Sequence, residues 1–213
     1  MKLSTEPAWQ YLLRDYHDLY YSGSAGGSNK IRSHMAEVRR AIGKVFEDDP
    51  PVEETDGELL PVCVHLDRAL SNAVGHRTAR IARSVADLRD HFVWQYGYEK
   101  VPRGLKLKYG YTEVVGPNGP VISDRIILGL VLFAPKTTYP AHSHKGITES
   151  YYCVSGHSSE NDIGVYAPGS MILNPPGHNH RITTADREPC LMSYAWTGSA
   201  AALTNQKMTF SRE

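Results

Sequence analysis

The sequence predicts a mainly β fold that follows an α-helical region. Apolar residues recur at helical spacing through the first hundred positions, whereas short apolar runs between glycine- and proline-containing turns dominate the remainder. Many short strands of this kind indicate a closed barrel or a sandwich. We therefore expect a helical region at residues 1–104, packed on a single β-barrel at residues 105–213.

Three segments of the N-terminal region have the apolar spacing of helices. The first is Glu6–Tyr21, and a glycine- and serine-rich turn separates it from the second, Asn29–Phe46. An acidic loop with two prolines, Asp48–Glu58, follows the second helix. The third segment, Leu59–Phe92, is expected to break into two helices near Gly75.

The C-terminal half contains short runs rich in β-branched and large apolar residues, with glycine- or proline-containing turns between most of them. This pattern predicts a series of short strands. The expected strands are Ile126–Phe133, Tyr151–Val154, Asp162–Tyr166, Ser170–Leu173, Arg181–Thr184, Cys190–Trp196 and Lys207–Ser211.

Charge and composition exclude several classes of function. The chain has 23 basic and 23 acidic residues, so it lacks the basic excess of a nucleic-acid-binding protein and has no net attraction to anionic membranes. No apolar run approaches the roughly 18 residues that a membrane span needs, and no signal peptide is evident. The three widely spaced cysteines, Cys63, Cys153 and Cys190, argue against a disulfide framework. We expect a cytoplasmic protein.

Two stretches carry residues that bind metals. In the first, His142 and His144 are two residues apart, so on a strand both side chains point to the same face, and Glu149 follows across a short turn. In the second, a Pro-Pro-Gly turn precedes His178 and His180, either of which could face the same interior; the spacing favours His180. Three histidines and one glutamate form an open site for one divalent ion: Fe, Mn, Zn, Co or Ni.

The two stretches resemble the paired motifs of the cupin superfamily, G(x)5HxH(x)3–4E(x)6G and G(x)5PxG(x)2H(x)3N. Two positions depart from the pattern: Lys136 stands where the first glycine would fall, and Thr184 where the final asparagine would fall. Neither position supplies a ligand. The resemblance implies one cupin double-stranded β-helix barrel after the helical region.

A finer resemblance is to the bacterial cupin-type dimethylsulfoniopropionate lyases. Its basis is a Tyr-Pro pair that begins at Tyr139, ahead of the two histidines, and a tyrosine, Tyr151, two residues after Glu149. This similarity implies a β-elimination that yields dimethyl sulfide and acrylate. A metal would bind the substrate carboxylate, and a general base would remove the proton from the neighbouring carbon.

We assign the general base to Tyr151, because a nearby divalent cation would favour its phenolate form. Tyr152 should point to the opposite face and pack in the core. The resemblance gives Tyr139 a role in orienting the substrate or as a second acid or base, and leaves open which of the two tyrosines is the base. The aromatic faces of Tyr166, Tyr194 and Trp196 are candidates for holding the sulfonium group by cation–π attraction.

Other interpretations stay open at this point. The same ligand set is common in cupin Fe(II) dioxygenases that act on other small molecules. A non-catalytic sensor is a third hypothesis, although the helical half shows no basic recognition helix. The N-terminal helices could cover one mouth of the barrel or form the contact of a homodimer.

Overall fold

A computed structural model describes residues 1–53, 56–98 and 101–206, and the backbone of residues 209–210. The described residues include three short 3₁₀ helices, at Leu3–Thr5, Pro61–His65 and Arg89–His91. The α-helices among the described residues are α1 (Pro7–Ser22), α2 (Asn29–Asp48), α3 (Leu66–Asn72), α4 (Ala79–Leu88), α5 (Arg103–Lys106) and α6 (Ala200–Thr204). None of the helices described has both the length and the apolar composition that crossing a membrane requires.

The first two predicted helices are confirmed to within two residues at each end. Pro7 occupies the first turn of α1, where its missing N–H costs no hydrogen bond. The Ser28 hydroxyl caps α2 by accepting a hydrogen bond from the Ile31 backbone N–H.

The third predicted helical segment does break around Gly75, but the backbone at its two outer ends has an extended conformation and not a helical one. The expectation of a helix from Leu59 to Phe92 is therefore wrong at both ends. Backbone pairing explains the difference, since Glu58 pairs with Val93 and the Trp94 N–H donates to the Glu58 carbonyl.

The strands are β1 (Tyr109–Gly116), β2 (Val121–Ile122), β3 (Ile127–Phe133), β4 (Thr138–Ser143), β5 (Ile147–Ser155), β6 (Ser158–Glu160), β7 (Ile163–Tyr166), β8 (Met171–Asn174), β9 (His180–Thr184), β10 (Cys190–Gly198) and β11 (Thr209–Phe210). Each predicted strand corresponds to one of these, although β1, β2, β4 and β6 were not among the expected strands. Of the last predicted strand, Lys207, Met208 and Ser211 lie outside the described residues.

The strands form two sheets. One sheet has six strands in the order β2-β1-β3-β10-β5-β8, and the other has five in the order β11-β4-β9-β6-β7. Apart from the parallel pair β1–β2, the neighbouring strands are antiparallel. The predicted fold class, mainly β with a helical N-terminal region, is confirmed; closure of the sheets into a barrel stays a prediction.

Alternation along β3 shows how the layers stack. Leu130 lies in one apolar cluster with Trp9 of α1, whereas its neighbour Val131, together with Ile127, lies in a second cluster with Tyr139 of the other sheet. Successive strand residues point to opposite faces, so helices α1 to α4 pack on the outer face of the six-stranded sheet. Its inner face is turned to the five-stranded sheet. The cover of a barrel mouth, the homodimer contact and the division near residue 104 all stay predictions.

Candidate metal centre

The four predicted ligands converge between the two sheets. His142 of β4, His144 just after it, Glu149 of β5 and His180 of β9 are all buried, and one donor atom from each lies within 4.8 Å of the others. Direct pairing of His142 with His180 across β4 and β9 brings two of these side chains together. The ring centroids of this pair are 4.2 Å apart.

Backbone carbonyls orient two of the imidazoles. Nδ1 of His142 lies 3.0 Å from the Pro140 carbonyl oxygen, and Nδ1 of His180 lies 3.2 Å from that of His178. A carbonyl only accepts hydrogen bonds, so each Nδ1 carries a proton, and in the neutral imidazole Nε2 keeps the lone pair that binds a metal. His178, the alternative ligand, therefore supplies a backbone oxygen that orients His180.

The donor set fits a cation. Nε2 of His180 lies 3.0 Å from Oε2 of Glu149, and Nε2 of His144 lies 3.5 Å from Oε1. Both nitrogens are buried and lack a hydrogen-bond partner among the described residues. Burial lowers the pKa of His142 to about 3, with the neighbouring His180 as the next cause, so this imidazole is neutral near pH 7.

Glu149 remains ionised in this setting. Burial opposes its ionisation, but the nearby His144 and His180 outweigh burial and hold the pKa of Glu149 well below its usual value. A buried carboxylate requires positive charge beside it, which a protonated imidazole or a bound cation supplies. A divalent metal ion with nitrogen and oxygen ligands meets that requirement.

Two further side chains donate to Glu149. The indole N–H of Trp196 donates to Oε1 at 2.7 Å, and the Asn174 amide donates to Oε2 at 3.4 Å. Trp196 was expected to offer its face to a sulfonium group. Its ring does line the cavity beside the ligands, but its N–H is committed to a ligand and its ring lies 4.6 Å from that of His144. Trp196 thus orients the candidate ligands as well as bordering the cavity.

Tyrosines line most of the cavity between the two sheets. The cavity has a volume of about 20 Å³, room for about one water molecule, so binding a larger substrate requires side chains to move apart. Its lining consists of two of the ligands and seven other residues: Tyr109, Tyr111, Val131, Tyr139, His142, Glu149, Tyr151, Tyr194 and Trp196.

Tyr151 lies on the inner face of β5, two residues beyond Glu149, with its ring centroid 6.3 Å from that of His180. Burial raises the pKa of Tyr151 well above 10, and the negative charge of Glu149 adds to that increase. Tyr152 points to the opposite face and packs against Tyr20 of α1, in agreement with its expected place in the core.

Tyr139 is buried beside the ligands, with its ring centroid 4.7 Å from that of His142. Its hydroxyl lies 2.7 Å from the Tyr98 hydroxyl and donates to that of Tyr109 at 3.2 Å. Burial raises the pKa of Tyr139 as well. Tyr194 is also buried here, and its hydroxyl donates to the Thr112 carbonyl at 3.4 Å.

Tyr166 is not brought to this cavity. It lies on β7, the edge strand of the five-stranded sheet, and lines a separate, larger groove with residues of α2 and β8. The expectation that Tyr166 contributes to a substrate pocket with Tyr194 and Trp196 is corrected by this placement. Its position follows from the strand order, because β7 is the edge strand and β6 separates it from β9, the nearer of the two ligand-bearing strands of this sheet.

The structure adds residues that the motifs did not reveal. Tyr98, Tyr109 and Tyr111 join the aromatic cluster, and Asn174 joins the ligand environment. One sequence signal was available for the tyrosines, since the chain has 13 Tyr against 4 Phe. No sequence signal distinguishes Asn174, because its role depends on strand pairing.

The fold and the buried histidine–glutamate cluster define a cupin-type protein with a candidate metal centre. A family model described as dimethylsulfoniopropionate lyase matches residues 34–192. A curated relative, the putative dimethylsulfoniopropionate lyase DddL of Cereibacter sphaeroides, is 49% identical over 211 residues, which cover 99% of this chain and 91% of that protein. The chain belongs to the dimethylsulfoniopropionate lyase family, and the predicted class of enzyme, a lyase, is confirmed.

Solved structures agree on the fold. The crystal structure of the dimethylsulfoniopropionate lyase DddQ from Ruegeria pomeroyi DSS-3 is 19% identical, with a TM-score of 0.73 over 97% of each chain. A chain from the crystal structures of the lyases RdDddP and RnDddQII is 20% identical, with a TM-score of 0.72 over 97% of this chain and 98% of that one. The likeness extends over the N-terminal helices as well as the sheets.

Proposed function

We propose that the protein cleaves dimethylsulfoniopropionate into dimethyl sulfide and acrylate at a single divalent metal ion, with Tyr151 as the general base. The observation that carries this proposal is the position of Tyr151. It lies on the same strand face as Glu149 and in the same cavity as His142. Family membership supports the substrate and the reaction.

His142, His144, Glu149 and His180 would hold the metal. Three imidazoles and one carboxylate suit Fe, Mn, Zn, Co or Ni, and this donor set does not select among these ions. When bound, the ion supplies a Lewis acid for the substrate carboxylate and stabilises the negative charge that develops beside it.

Tyr151 removes the proton from the carbon next to the carboxylate. The electrons of that C–H bond form the carbon–carbon double bond of acrylate, and the electrons of the C–S bond leave with dimethyl sulfide. Tyr151 can act as a base only as phenolate. Because the charge of Glu149 raises the Tyr151 pKa, neutralising that charge in the loaded site favours the phenolate.

Tyr139 orients the substrate or acts as a second acid or base. Its hydroxyl belongs to a chain of three phenol groups with Tyr98 and Tyr109, which can donate hydrogen bonds to a carboxylate or pass on a proton. The faces of Tyr194 and Trp196 border the same cavity and can stabilise the sulfonium before it leaves as a neutral sulfide.

The direct test is a headspace assay for dimethyl sulfide. Protein loaded in turn with Fe, Mn, Co, Ni and Zn is incubated with dimethylsulfoniopropionate under anaerobic conditions, and acrylate is measured in the same samples. We expect both products in equal amounts. Absence of product with every metal would refute the proposed reaction, and a requirement for oxygen would favour the dioxygenase alternative. The cytoplasmic location and the homodimer stay predictions.

A further inference from the structure

We propose that Asn174 is a positioning residue, anchored by Glu160, that holds the Glu149 carboxylate in the orientation needed to bind metal. The inference rests on the metal centre proposed above. Asn174 and Glu160 take no part in the proposed chemistry; strand pairing places Asn174 beside Glu149, and a hydrogen bond between the two sheets joins it to Glu160.

Strand pairing places a hydrogen-bond donor on each side of Glu149. Trp196 on β10 and Asn174 on β8 both lie directly opposite Glu149 in the register of the six-stranded sheet. Each donates to a different oxygen of the carboxylate, Trp196 to Oε1 and Asn174 to Oε2. Together the two donors restrict rotation of the carboxylate group about its terminal bond.

The Asn174 amide serves two carboxylates at once. Its nitrogen donates to Glu149 at 3.4 Å and to Glu160 at 3.1 Å. Two carboxylates accept hydrogen bonds and do not donate them when ionised, so the NH₂ group must face them and the amide orientation is fixed. The opposite orientation would direct the amide oxygen at both carboxylates.

Glu160 belongs to the other sheet. It lies on β6 with 8% of its surface exposed, whereas Asn174 is on β8, the edge of the six-stranded sheet. The bond between them therefore crosses the space between the two sheets. His178 lies near the outer side of Glu160, with its Nε2 3.9 Å from Oε1.

The metal centre crosses the same space. Glu149 extends from the six-stranded sheet, while His142 and His180 extend from the five-stranded sheet. The separation of the sheets thus sets the distance from the carboxylate to the imidazoles. A side-chain bond between β8 and β6 fixes that separation beside the site, and it also holds the amide that orients Glu149.

The test measures Co²⁺ binding by chelator competition, with the visible d–d spectrum as a second readout. Asn174→Ala should weaken binding by about 10- to 100-fold, the usual cost of losing a partner that orients a metal ligand, and should alter the spectrum. Glu160→Ala should weaken it less. Glu160→Gln retains an acceptor oxygen for the amide and should bind nearly as the wild type does.

The double variant Asn174→Ala/Glu160→Ala tests whether Glu160 affects metal binding through Asn174. Because Glu160 acts through Asn174, the double variant should match Asn174→Ala to within about twofold. Thr197→Val is the matched control. Thr197 is buried on β10 beside Trp196 but points to the opposite face, so this nearly isosteric change should leave the dissociation constant unchanged.

Binding by Asn174→Ala within about twofold of wild type, with an unchanged spectrum, would overturn the inference, as would additive effects in the double variant. If Asn174→Ala does not fold, Glu160→Ala decides: an altered spectrum supports the inference and an unaltered one overturns it. Wild-type protein that binds Co²⁺ but releases no dimethyl sulfide with any metal would refute the proposed reaction while these binding data still decide the role of Asn174. Failure of wild type to bind Co²⁺ would overturn both.

Discussion

Replacement of Trp196 by phenylalanine distinguishes the two roles that this residue could have. Phenylalanine keeps an aromatic face in the cavity but removes the indole N–H that donates to Oε1 of Glu149 at 2.7 Å. A role limited to cation–π attraction would largely survive the substitution. A role in orienting the metal ligand would not.

The structure sets the size of the effect. Glu149 is 1% exposed, so an N–H that leaves its carboxylate is not replaced by bulk water. A hydrogen bond to a charged group contributes about 1.5–3 kcal/mol, and each 1.4 kcal/mol is about tenfold in a binding constant. We therefore expect the metal dissociation constant of Trp196→Phe to rise by about 10- to 100-fold.

The assay is chelator competition with wild type and variant, followed by turnover measured at saturating metal. The expected result is weakened metal binding, with a smaller change in KM than in metal affinity. Unchanged metal affinity combined with a raised KM would refute the reasoning, because it would leave the aromatic face as the contribution of Trp196.

Substitutions at Gly129, His34 and Tyr166 test the packing of the helices and sheets. Gly129→Ala should destabilise the fold by about 1–3 kcal/mol in urea unfolding, because its new methyl group would overlap the Tyr194 ring and the Thr112 carbonyl; full stability would contradict this packing. Burial lowers the pKa of His34 in the folded protein from 6.5 to about 4. As the pH falls, the unfolded chain therefore takes up the proton first. Up to about 3 kcal/mol of the free energy of unfolding, present above pH 6.5, is lost as the pH approaches 4. His34→Gln should reduce that loss between pH 7 and pH 4, and an unchanged pH profile would count against it. Tyr166→Phe should leave turnover unchanged, whereas a marked loss would place Tyr166 in the substrate pocket after all.

Sequence reasoning predicted the elements whose pattern is local. The first two helices follow from the spacing of apolar residues, and β3 and β10 follow from long runs of strand-forming side chains. The four candidate ligands were found because strand periodicity and turn residues fix which side chains share a face. That information lies within about 40 residues, from His142 to His180.

The remaining features depend on contacts between distant segments. The ends of the third predicted helical segment have an extended backbone conformation because Glu58 pairs with Val93, more than thirty residues away. Asn174 and Trp196 donate to Glu149 only because β8 and β10 flank β5 in the sheet. Tyr166 is an aromatic residue like those that line the cavity, but the strand order places it on β7, the edge strand of the five-stranded sheet. Strand order and register are not contained in the local pattern.

The most direct test of the account is the rate of dimethyl sulfide release by Tyr151→Phe, with metal content determined on the same samples. If Tyr151 is the base, the variant should bind the metal like wild type and lose about 100- to 10,000-fold in turnover, the range for removal of a general base. A fully loaded variant that retains nearly the wild-type rate would contradict the assignment of Tyr151.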